Sequence, residues 1–259
     1  MTITDAQLIA WLQQFIWPLA RISSALMIAP VLGSGRITAR VRMALALLLT
    51  LVIAPLLPAP PVAQLFSSIW WGTLLREIAI GLLIGFTLQI IFEAVTLGGE
   101  LISASASLSF ATLADPLRGV STPVIGQFLM LVATLLFLAL GGHLQFIEWL
   151  ARSFTDLPVG GATLGMDRIG SLLTFSGTLF AGGLMLALPV LVALLTINLA
   201  LGVISRSAPS LNLFAVGFPL SLIVCLVLLY LAMPSMIGKM GLLFDEGWRA
   251  VGALVGRAS

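Results

Sequence analysis

The sequence predicts an all-α, membrane-integral protein built from helical hairpins, with about six long apolar helices and a re-entrant or pore loop. Three observations carry this. Sixty per cent of the 259 residues are apolar and only 8% are charged, a balance foreign to water-soluble domains. The apolar residues fall into long runs parted by short polar turns, and a helix is the form that satisfies its own backbone in a nonpolar medium. Trp11, Trp17, Trp70, Trp71, Trp149 and Trp248 stand at or just beyond the ends of those runs, as interfacial rings do.

The runs cover 8–32, 43–57, 69–92, 124–147, 172–204 and 213–237. Thr4 and Gln7 have capping-box spacing ahead of the first. Asp5 is the only charge before that run and Arg36, Arg40 and Arg42 follow it, which is not a signal-peptide pattern, so the run is expected to stay in the mature protein. At about 1.5 Å per residue the second run reaches about 22 Å, short of a roughly 30 Å hydrocarbon core, whereas the fifth reaches nearly 50 Å. Pro189 is expected to kink the fifth. Such unequal lengths suit helices that pack mainly against protein.

Between the last two runs the stretch RSAPSLNLFAVGFP, Arg206 to Pro219, turns the chain at a polar surface and sends it back as a hairpin. The three arginines of the first loop, against an uncharged second turn, put that loop in the cytoplasm. Alternation then places the Arg206 turn on the same side and both termini opposite.

Residues 93–123 resist a spanning reading. They hold Glu93, Glu100, Asp115 and Arg118, small residues from Gly98 through Ser109, and the bend DPLRG. Serines at 103, 105, 107 and 109 leave helix, extended chain and re-entrant loop all open. Irregular backbone at membrane depth persists only where it is buried in protein or lines an aqueous cavity, so this loop is the first candidate for a pore element. An ordinary surface loop with a helical start is the alternative.

Catalytic and cofactor chemistry finds little support. His143 is the sole histidine and Cys225 the sole cysteine, which rules out histidine-rich metal sites, thiolate metal sites and disulfides. Ser176 sits in TFSG after His143, the wrong motif and order for an intramembrane serine protease. No P-loop occurs, and no basic run is long enough for nucleic acid. A non-enzyme without cofactor or metal is expected.

Charges inside apolar runs each cost at least ~2.5 kcal/mol at a bilayer centre unless paired or wetted. Arg21, Arg76, Glu77 and Glu93 are the cases. Arg76 and Glu77 fit the polar end of the third helix, near Trp70 and Trp71. Arg21 calls for a carboxylate on another subunit or a water-filled space. A small-solute secondary transporter with Arg21 and Glu93 in its pathway is the alternative function.

Small residues point to close helix contacts: Gly81-x-x-x-Gly85, Gly182-Gly183 and Gly252-x-x-x-Gly256. In the tail, Phe244, Trp248, Val251 and Val255 form a stripe opposite Asp245, Glu246 and Arg249, which predicts a short amphipathic helix.

The Arg206–Pro219 stretch, preceded by NLALGVI, resembles the signature of the FliR family of flagellar export-gate proteins, called SctT in injectisomes. REIAIGLLIGF at Arg76 to Phe86, SFATLADP at Ser109 to Pro116 and LFLALGGH ending at His143 agree with it, in order over nearly the whole chain. The resemblance implies a structural and gating subunit of the type III protein-export gate. It implies assembly with FliP and FliQ, FlhB at the cytoplasmic side, and passage of unfolded flagellar proteins through the centre. It also implies a bacterial inner-membrane and basal-body location, projecting towards the periplasm.

Within the chain the resemblance implies a FliP-like part, 1–171, and a FliQ-like hairpin with amphipathic tail, 172–259. It places a channel gate or plug in the loop with Phe110, Leu113, Asp115, Pro116 and Gly119. It assigns partner contact at the cytoplasmic hairpin to Arg206, Pro209, Asn212, Phe214, Gly217 and Pro219, and makes Lys239 a packing residue of the assembly.

Overall fold

The computed structural model describes residues 5–33, 35, 37–60, 62–106, 124–161, 165–207 and 213–256. Their elements are α1 (Asp5–Ile28), α2 (Ala39–Ile53) with a 3-10 turn at Ala54–Leu56, α3 (Ser68–Ser105), α4 (Val124–Ala139), α5 (Gly142–Asp156), α6 (Met166–Phe175), α7 (Thr178–Ser207) and α8 (Leu213–Val255). There is no strand among the described residues. The protein is all-α.

Among the described residues, four stretches are long and apolar enough to cross a membrane: Ala39–Leu56, Ser68–Ser105, Met166–Ser207 and Pro219–Val255. A fifth arises if α4 and α5 count as one span bent by 66°. These are fewer than the six runs of the sequence. The first run, α1, is not among them, because Gln13, Gln14 and Arg21 dilute its apolar content.

Other boundaries also move. The fourth run was expected to continue from 124 to 147, but it breaks at Gly141, whose φ of +72° is left-handed and suits a residue without Cβ. The third run was expected to end at 92, yet α3 carries on through Glu93 and Glu100 to Ser105. That part of the candidate pore loop is helix, since alanine, leucine and isoleucine outweigh its glycines and serines. The tail is no separate short helix either; it is the end of α8, whose 43 residues reach about 65 Å. Pro189 lies inside α7, and Pro219 and Pro234 inside α8.

The chain divides into two compact units. The first comprises 1–90, 141–176 and 246–259. Its core is Ile22, Leu26, Ile80, Ile84 and Leu88 with Phe146, Leu150, Phe154, Val251 and Val255, all buried. The second comprises 91–140 and 177–245 and centres on Phe92, Phe137 and Phe244, whose ring centroids lie 5.4 to 5.6 Å apart. Offset and edge contacts of this kind add to the area that the rings bury.

Candidate functional site

Arg21 is the most constrained polar residue of the first unit. It lies on the face of α1 that carries Trp17, Ile22, Ala25 and Leu26, so its guanidinium is carried inward and is fully buried. The five N–H donors of a guanidinium each need an acceptor there. Nε donates to Glu77 Oε2 at 2.7 Å, and Nη2 reaches the same oxygen at 2.6 Å. Nη1 donates to the Ser153 carbonyl at 2.7 Å and its hydroxyl at 3.1 Å, and Nη2 to the Leu157 carbonyl at 2.8 Å. The carbon of the guanidinium sits 4.1 Å from the centre of the Phe154 ring.

The Ser153 carbonyl also accepts from the Leu157 amide at 3.0 Å, whereas the Leu157 carbonyl, at the C-cap of α5, is one that a helix leaves without an internal donor. Pro158, just past the end, cannot continue the helix. Arg21 therefore caps α5 while neutralising Glu77. This corrects the expectation that Arg21 meets a carboxylate of another subunit or a water-filled space: its partner is in the same chain.

Glu77 is likewise buried within α3 rather than standing at a polar helix end. Its Oε1 accepts from Arg76 Nη1 at 3.1 Å, and that nitrogen also donates to the Pro158 carbonyl at 3.0 Å. Arg76 Nε and Nη2 are buried without an acceptor. The cluster thus sets two guanidinium groups against one carboxylate and ties α1, α3 and the 153–158 segment together. Glu93 is exposed on α3.

Close backbone contact makes this geometry possible. A Cβ on Gly81 would run into the Arg21 carbonyl and Ser24 Oγ, and one on Gly85 would lie 2.6 Å from the Ala25 carbonyl. The Gly81-x-x-x-Gly85 face is thus filled by α1 of the same chain.

The remaining sequence candidates separate by location. Phe110, Leu113, Asp115, Pro116 and Gly119 lie outside the described residues, as do Pro209 and Asn212. Arg206 is exposed in the last turn of α7, where a cation complements the helix dipole. Phe214, Gly217 and Pro219 all fall in α8; Gly217 is buried and Pro219 exposed. In the tail stripe Phe244, Val251 and Val255 are buried, while Asp245, Glu246 and Arg249 face outward.

Sequence reasoning missed the acceptors Ser153, Leu157 and Pro158, because a backbone carbonyl has no side-chain signature. It missed Gln13 for a similar reason: its amide donates to the Ala63 carbonyl at 2.6 Å and accepts from the Ala63 amide at 3.0 Å. Arg42 donates to the carbonyls of Leu32 and Gly33, and Arg168 to Val255 at the end of α8. The proline after Asp156 was a legible stop signal, though it named no partner. Among the described residues no group of three or more His, Cys, Asp or Glu is placed to hold a metal ion.

The model of the bacterial export proteins, family 1, matches residues 12–247. The flagellar biosynthetic protein FliR of Escherichia coli K12 is 39% identical over 247 residues, 95% of this chain and 94% of that protein. The chain belongs to the FliR family of bacterial export proteins. The FliR of Pectobacterium carotovorum is 40% identical over 90% of this chain and 89% of its own length. That of Aquifex aeolicus is 33% identical over 83% of each. The residues matched by the family model include Arg21, Glu77, Ser153 and Leu157, which form the buried arginine network.

Proposed function

We propose that this FliR-family chain is a non-enzymatic structural and gating subunit of the flagellar type III protein-export gate, forming the export channel with FliP and FliQ. The observation that carries the proposal is the end-to-end likeness to proteins named for flagellar biosynthesis. The molecular surface supports it. On α7, Leu184, Met185, Leu188, Val192, Leu195 and Leu199 are exposed, and α8 exposes Ile223, Leu226, Val227, Tyr230 and Leu231. Apolar flanks this broad need lipid or neighbouring helices to cover them.

In this reading residues 1–171 are the FliP-like part and 172–259 the FliQ-like hairpin. The assembly sits in the bacterial inner membrane at the flagellar basal body and projects towards the periplasm. FlhB meets the cytoplasmic mouth at Arg206, Pro209, Asn212, Phe214, Gly217 and Pro219, and unfolded flagellar proteins pass through the centre. Phe110, with Leu113, Asp115, Pro116 and Gly119, closes the resting channel, since one phenyl ring can block a narrow path and exclude water. The small-solute transporter gains no support, because every Arg21 donor is already consumed by protein acceptors.

Conductance of the purified complex in planar bilayers tests the gate. Phe110→Ala is expected to assemble normally and leak ions; an assembled variant as tight as wild type would remove Phe110 from the gate. Replacing Arg206 with Glu is expected to weaken FlhB association or export while the protein stays in the membrane. Unchanged secretion would leave the hairpin as a simple turn.

A further inference from the structure

Lys239 is the sole lysine of the chain, and it stands within the apolar helix α8. Its Nζ donates to the Met185 carbonyl of α7 at 2.8 Å. That carbonyl is a particular one. Pro189 lies four residues on in the same helix, and a proline has no N–H to offer the carbonyl of residue i−4. Met185 is thus the position that the helix leaves without a backbone donor. Met185 is 60% exposed amid other exposed apolar residues, and a carbonyl that lipid or a packed helix covers needs a donor from the protein.

A second observation places the bond at a tight contact. One turn away on each helix, a Cβ on Gly182 would come within 2.9 Å of Leu243 Cδ2, so α7 and α8 approach closely beside the lysine. A long side chain from α8 can reach the α7 backbone because the glycine lets the helices come together.

We propose that Lys239 is a positioning residue that supplies the donor Pro189 lacks, pinning the proline break of α7 to α8 so that the two helices hold one geometry. The ammonium group stands in for the amide N–H that proline lacks. Such a role explains why the only lysine occupies an apolar helix, and it goes beyond the export function, which does not specify how the hairpin is held.

The proposal predicts a dependence between two positions in sequence-distant helices. Lys239→Met keeps the length and loses the donor, and should lower the folded-to-unfolded ratio of the full-length protein in mild detergent by about tenfold, the scale of one bond to a charged donor. Pro189→Ala restores the backbone amide, so the same Lys239→Met change in that background should shift it far less. Lys239→Met as stable as wild type, or a loss in the Pro189→Ala background equal to or larger than that in wild type, would overturn the proposal. If Pro189→Ala does not fold, Lys239→Arg must hold near wild-type stability while Lys239→Met does not; equal loss in both would also overturn it. These readouts are of folding, so they stand apart from whether the protein joins an export gate.

Discussion

Arg21 shows how a charge can live inside an apolar helix. Its burial is tolerable because Glu77, Ser153 and the Leu157 carbonyl at the end of α5 supply all its acceptors, and removing one partner of such a pair costs about 3–5 kcal/mol. Arg21→Met should therefore lower the thermal midpoint of the detergent-purified protein sharply, and Glu77→Met added to it should recover part of the loss. Equal stability of Arg21→Met and wild type would mean that the network contributes nothing. The sequence made Arg21 conspicuous, since an arginine in hydrocarbon must be accounted for. It could not name the partners, because Ser153 and Leu157 are 132 and 136 residues away and two of the three Arg21 bonds to them end on backbone oxygen.

At the scale of elements, the glycines decide which helices touch. Gly81 faces α1 with no room for a side chain, whereas Gly72, about two and a half turns earlier in α3, has nothing within 4 Å of its would-be Cβ. Gly81→Val should strip the folded protein from membranes, and Gly72→Ala should be nearly silent; equal yields of the two would contradict the packing. Gly141, at φ +72°, is a second test. Alanine there meets the left-handed penalty of about 1–2 kcal/mol, seen as a lower thermal midpoint without loss of folding. Helix existence was legible from the apolar runs, and so were the close contacts at Gly81, Gly85 and Gly182. The ends were not. At Glu93 and Glu100 the charges left helix and loop both open, and α3 continues because those side chains stand at exposed or half-buried positions. The α4–α5 break was missed because the six residues before Gly141, Leu135 to Leu140, are all apolar and give no stop signal.

For the whole molecule, fold class and family were legible from composition and from motifs in order, while the mouth and plug residues were reached only through the resemblance. Phe110 and its neighbours lie outside the described residues, so their role rests on function tests. Orientation is open to a simple one. With Cys225 replaced by serine, a single cysteine at position 40, which is exposed, should resist an impermeant reagent added outside intact inner-membrane cells; labelling there would invert the topology. The central claim is membership of a hetero-oligomeric export gate, and mild-detergent purification of the tagged full-length chain from its own cells, with the co-purifying proteins identified, tests it most directly. Stoichiometric recovery of FliP and FliQ with the chain is the predicted result, and a chain that purifies only alone or with copies of itself would contradict it.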